Sequence, residues 1–120
     1  MDVGTMLRVA CGLIVLTALG GVVMAAIRFS GKRNPPVWLA MLHGLLAGSG
    51  VTVLAYAVFA GDVPAAAGWA LGLFLVAALG GITLFLAYEW KRVLLPAWLV
   101  GVHALAAVLG FLLLLVAAFA

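Results

Sequence analysis

A four-helix, all-α membrane protein is the fold class this sequence predicts, and three observations carry the prediction. The first is composition: of 120 residues, 69% are apolar and only 8% charged, with a mean hydropathy of +1.43. A soluble domain of this length has too little interior to hide so much apolar surface, so lipid is the expected solvent. The second is segmentation into four apolar runs, each reaching the roughly 20 residues that a membrane span needs, separated by short polar breaks. The third is repetition. The stretch Pro36–Ala60, PVWLAMLHGLLAGSGVTVLAYAVFA, returns as Pro96–Ala120, PAWLVGVHALAAVLGFLLLLVAAFA, and across the chain 20 of 60 positions are identical at a constant offset with no gap.

The chain is therefore expected to be a single membrane domain, 1–120, built from two helical hairpins, repeat one over 1–60 and repeat two over 61–120. Each repeat has an even number of spans, so both insert with the same orientation. Such parallel repeats are related by a pseudo-two-fold axis along the membrane normal, giving an up-down-up-down bundle.

Span one is expected over residues 3–27. A leading apolar run can be a cleaved signal peptide, with VVMAA as its cleavage region. Here, however, Asp2, Ala10, Gly12, Leu13, Ala18, Leu19, Gly20 and Gly21 recur at the matching positions from Asp62 to Gly81. A segment with an internal copy reads as a helix of the mature protein. FSGKRNPP forms the first break, and its prolines suit the first positions of span two, about 36–59, where a missing N–H costs nothing. The turn Gly61–Pro64 leads to span three, about 65–88, and EWKRVL separates it from span four, about 95–119. Trp38, Trp90 and Trp98 fall near one boundary and Trp69 near the other, as interfacial anchors do.

The net charge of +3 reflects orientation. Arg28, Lys32 and Arg33 lie in the first break and Lys91 and Arg92 in the third, so loops 28–35 and 89–94 are expected to be cytoplasmic and both termini outside. That describes a multi-pass protein of a bacterial inner (cytoplasmic) membrane. Nucleic-acid binding would need a basic face on a folded domain, and none is present. A single cysteine, Cys11, excludes an internal disulfide. The absence of Cys-x-x-Cys-His excludes covalent c-type haem attachment by that route.

Chemistry converges on the two histidines. His43 and His103 are one repeat position written twice, each inside an apolar span where an ionisable ring points to function. In span two, seven of the residues shared between repeats, Pro36, Leu39, His43, Ala47, Gly50, Leu54 and Ala57, are spaced 3, 4, 4, 3, 4, 3. That is one helical stripe at the period of left-handed bundle packing, so the histidines are expected to face inward. Both lie about 10 Å inside the cytoplasmic edge at 1.5 Å rise per residue. On diagonal helices, about 12–14 Å apart if neighbours are 8–10 Å apart, their imidazoles approach across the centre.

Zinc wants three or four protein ligands, and the remaining soft donor, Cys11, lies near the opposite face. The acidic residues, Asp2, Asp62 and Glu89, all sit at span edges, so a proton relay or hydrolytic metal site lacks parts. A porphyrin brings four nitrogens of its own and asks only for two axial ligands, so a non-covalent haem b on His43 and His103 fits the donor set. Gly20, Gly21, Gly80 and Gly81 lie at the same depth and would let backbone approach a flat cofactor. Arg28, seven residues after Gly21, is the expected propionate partner. Its counterpart Tyr88 could donate a hydrogen bond.

With these residues in place, the chain resembles the haem-carrying four-helix core of membrane b-type cytochromes. The likeness covers all four spans and rests on the His pair and the two Gly-Gly pairs. It implies bis-histidine ligation from helices two and four, with glycines on helices one and three making space. One histidine per ligand helix implies one haem, and two strong axial ligands imply an electron carrier more than an enzyme. A quinone or a redox partner protein would be donor or acceptor, within a homo- or hetero-oligomer or a larger redox complex. The competing reading is a cofactor-free transporter or channel, or a structural subunit. Each histidine would then be an interhelical hydrogen-bonding residue worth about 1 kcal/mol, and each Gly-Gly pair a close-packing surface.

Overall fold

Asp2 starts the first helix: its carboxylate accepts the Thr5 N–H at 2.8 Å, and that backbone bond holds the carboxyl below its ordinary pKa. From there α1 runs Val3–Gly31 with no breaker in its path and stops at Lys32, whose left-handed backbone (φ 48°) caps it. Pro36, with its fixed φ, precedes α2, Val37–Ala60, and its carbonyl accepts the Leu39 and Ala40 N–H groups. Pro64 precedes α3, Ala65–Thr83, and Pro96 precedes α4, Ala97–Phe119. The computed structural model describes all 120 residues. Its four long helices are each apolar and long enough to cross a membrane.

Two elements differ from expectation. Helix α1 extends a full turn past Ile27, carrying Arg28 on its last turn, because only Lys32 terminates it. Span three does not finish as an α-helix. Over Leu84–Glu89 it widens into a π-helix, with the Trp90 N–H bonded to the Phe85 carbonyl and the Val93 N–H to the Tyr88 carbonyl, both at 2.8 Å. Arg92 then turns the chain with φ 57°.

Helix α1 packs chiefly on α2 and α3 on α4, while α1 meets α4 and α2 meets α3 more sparsely. The longest dimension is 44 Å, comparable with a bilayer including head groups, about 40–45 Å. The histidine stripe turns inward as its spacing predicts: Gly50, Leu54 and Ala57 are buried, and Leu39, His43 and Ala47 half-buried. Only Pro36 departs, being exposed at the helix start.

In lipid, helices gain little from leaving the solvent, so close fit of small and large residues holds them together. A Cβ on Gly50 would stand 2.9 Å from the Ile14 Cδ1, and one on Gly110 would stand 3.1 Å from the Phe74 ring. The core cluster, which includes Leu7, Ile14, Leu54, Leu71, Phe74 and Leu114, lies in the half of the bundle that holds the termini.

At the opposite, basic end the hairpins are tied by polar groups. Asn34 Nδ2 donates to the Val93 carbonyl at 2.7 Å, its Oδ1 accepts the Leu95 N–H at 2.9 Å, and Arg28 Nε donates to the Leu95 carbonyl at 2.8 Å. Asn34→Ala removes two bonds at once and leaves backbone groups unpaired, a cost of about 1–3 kcal/mol. Thermal unfolding in detergent should register it, whereas a surface change such as Ser49→Ala should be close to neutral.

Candidate functional site

The two imidazoles meet at the centre of the bundle. Their ring centres are 6.1 Å apart, with planes inclined at 67°. The helices that carry them are the diagonal pair α2 and α4, and each ring is held by the other helix of its own hairpin.

The holding contact is a hydrogen bond to backbone. His43 Nδ1 lies 2.8 Å from the Thr17 carbonyl on α1, and His103 Nδ1 lies 2.7 Å from the Ala77 carbonyl on α3. A carbonyl can only accept, so Nδ1 carries the hydrogen in both rings and Nε2 of the neutral imidazole keeps its lone pair. Thr17 and Ala77 are themselves 60 residues apart, as are the histidines.

The glycines explain how a ring reaches a carbonyl inside a helix. In α1 the Thr17 carbonyl already serves the helix, but its second lone pair is open sideways if nothing covers it. The residues that would cover it are Gly20 and Gly21. A Cβ on Gly21 would stand 3.1 Å from His43 Cε1, and one on Gly81 would stand 3.1 Å from His103 Cε1. At Gly20 and Gly80 the nearest imidazole-bearing atoms would be 3.9 and 3.5 Å away, ordinary contact. The glycine pairs, expected to clear space for a flat cofactor, border the imidazoles themselves in this structure.

Of the other expected site residues, Arg28 lies at the basic end with its Nε engaged by the Leu95 carbonyl and its guanidinium carbon 5.1 Å from the Phe29 ring centre. Tyr88 is half-buried within the π segment. Neither touches the histidines. Cys11 is buried in the terminal half, its Sγ 3.9 Å from the Leu114 carbonyl. No three residues among His, Cys, Asp and Glu gather closely enough to form a metal-ligand cluster.

Three participants were not visible in the sequence. Thr17 and Ala77 act through backbone carbonyls, which carry no residue signature. Asn34 lies within the break FSGKRNPP, where nothing in the sequence marks it as a tie. Glu89, expected at a span edge, is indeed the last residue of the third span, but it is only 5% exposed. No protein-family model, curated protein or solved structure matches this chain, so its function has to be read from this geometry.

Proposed function

We propose that the protein is a membrane-embedded haem b carrier in which His43 and His103 are the axial ligands of one low-spin haem. The observation that carries the reading is the imidazole pair. His43 and His103 would hold the haem through Nε2, the ring nitrogen that the carbonyl bond leaves with its lone pair. Their ring centres stand 6.1 Å apart. Metal-ligating histidines characteristically donate their other N–H to a carbonyl or carboxylate, which fixes the ring and raises its basicity. Both rings carry that bond. A two-nitrogen donor set with no third ligand nearby suits a metal that arrives already held by a macrocycle.

Neither of two sizeable clefts, of about 420 and 320 Å³, is lined by a histidine. A macrocycle would have to be admitted between the two hairpins, which pack more sparsely on each other than the helices within each do. The haem supplies one-electron chemistry when bound. The chain's part is to hold both axial nitrogens, keep their ring orientation and exclude water. Two filled axial positions favour electron transfer over oxygen binding. The donor or acceptor is a quinone or a partner protein, and Arg28, through its remaining guanidinium donors, serves a propionate.

The same reading includes topology. Two parallel hairpin repeats, 1–60 and 61–120, stand up-down-up-down, with the basic loops in the cytoplasm of a bacterium and both termini outside. The test is colour. Protein purified after haem-replete expression should carry about one haem per chain, with a sharp α-band on dithionite reduction. A colourless protein under those conditions sinks the proposal.

A second reading has one observation in its favour: each ring already fits a glycine gap and has its Nδ1 hydrogen bond without any cofactor. The histidines would then fasten each hairpin in a cofactor-free structural subunit or transporter. That protein stays colourless, and His43→Ala changes only its stability, by about 1 kcal/mol.

A further inference from the structure

At the basic end a cleft of about 420 Å³ opens between the turns that follow α1 and α3. Lys32, Arg33 and Arg92 line it, with Asn34 and Glu89. Lys32 and Arg92 occupy matching places in the two repeats, and both adopt the left-handed backbone, at φ 48° and 57°. Cationic side chains are therefore brought to one opening from both hairpins.

Glu89 is the unexpected member. It is 5% exposed, and its Oε2 is buried without a hydrogen-bond partner. A buried carboxylate oxygen left unpaired is costly, and such a group calls for an explanation. The π segment explains how it got there. Phe29, the matching residue of repeat one, is 53% exposed on a regular α-helix. The wider turn over Leu84–Glu89 rotates the end of α3, and Glu89 turns inward where Phe29 turns out. Single π-helical turns of this kind are frequent at functional sites.

Cations alone would accept any phosphate. A buried acceptor beside them asks for a ligand that also carries N–H donors. We propose that the cleft binds an ethanolamine-phosphate group, with Lys32, Arg33 and Arg92 holding the phosphate and the Glu89 carboxylate accepting from the ammonium. A choline head group shares the phosphate and the positive charge but has no N–H to give. The cleft lies at one end of four membrane-length helices, and the exposed Trp38 and Trp90 directly follow its lining residues Val37 and Glu89 in the chain, so the surrounding phospholipid leaflet is the nearest source. Soluble phosphoethanolamine is the other. This inference is independent of the haem reading and stands or falls without it.

The experiment is native mass spectrometry of the full chain in detergent, offered phosphatidylethanolamine and phosphatidylcholine with identical acyl chains. The ethanolamine lipid should be retained about tenfold better, the scale of one hydrogen bond to a charged group. Glu89→Gln should bring the two lipids close to parity. Lys32→Gly with Arg92→Gly should lose both lipids while the protein stays folded, because glycine suits the left-handed turns. Equal retention of the two lipids by the unaltered protein overturns the proposal, and so does a preference that survives Glu89→Gln. Excess soluble phosphoethanolamine should displace the lipid more effectively than inorganic phosphate. Equal displacement by inorganic phosphate would mean that the cations act alone and would overturn the role of Glu89.

Discussion

On the haem proposal, replacing His43 or His103 with alanine should abolish the low-spin haem spectrum completely, because each ring would supply one of only two axial nitrogens. The expected residue is a protein of unchanged helical content with a high-spin spectrum or no haem. Circular dichroism and reduced-minus-oxidised spectroscopy on the same sample separate those results from unfolding. His43→Met is the more informative substitution. It keeps a sixth ligand while exchanging nitrogen for thioether, so the protein should remain low-spin with a higher midpoint potential, as methionine–histidine ligation gives in cytochromes. Retention of the original spectrum in either alanine variant would remove that histidine from the ligand set.

A second large effect is expected at the glycines, with opposite signs at adjacent positions. Alanine is the better helix former by up to about 1 kcal/mol, so Gly20→Ala and Gly80→Ala, whose new Cβ atoms make ordinary contacts, should be neutral or mildly stabilising. Gly21→Ala and Gly81→Ala place a Cβ 3.1 Å from an imidazole Cε1. The ring has little freedom to yield, since its Nδ1 is bonded to the same helix at 2.8 or 2.7 Å and the other imidazole stands close by. Loss of both histidine–carbonyl bonds in the double variant Gly21→Ala, Gly81→Ala should cost about 2–3 kcal/mol, read as thermal unfolding in detergent. On the haem proposal, haem retention should fall with it, because an untethered ring is a poorer ligand. If all four glycines respond alike, the imidazole contact is not what requires glycine at positions 21 and 81.

The contrast between those neighbours marks where sequence reasoning stopped. Spans, breaks and the inward stripe were legible because lipid demands long apolar runs and because shared positions at alternating spacings of three and four leave little choice of face. The pairing of His43 with His103 followed from the repeat. What the glycines border was not legible, since the group they uncover is the carbonyl of Thr17 or Ala77, and every residue has a carbonyl. The π segment was hidden for a related reason. Residues 24–29 and 84–89 align without a gap, yet only the second stretch widens. Glu89 consequently keeps its place at the span edge but turns its side chain inward. The tie from Asn34 to the third break has no counterpart in the repeat, where the matching residue is Leu94, so symmetry gave no hint of it.

The placement of the apolar core has a consequence for the order of events in the membrane. All of its members come from the first halves of α1 and α3 and the last halves of α2 and α4. The two hairpins are thus riveted at one rim, while the stretch around the imidazoles is spanned by ring contacts and a few polar ties. Such a body should breathe like a clothes-peg, with its spring at the termini and its jaws, fastened only by the ties of Asn34 and Arg28, at the basic loops. Assembly can be completed at the spring before anything occupies the jaws. Amide hydrogen exchange should accordingly be slowest around Leu54 and Leu114 and faster around Ala40 and Val100, and a guest that both rings grip should slow the jaws while leaving the spring unchanged.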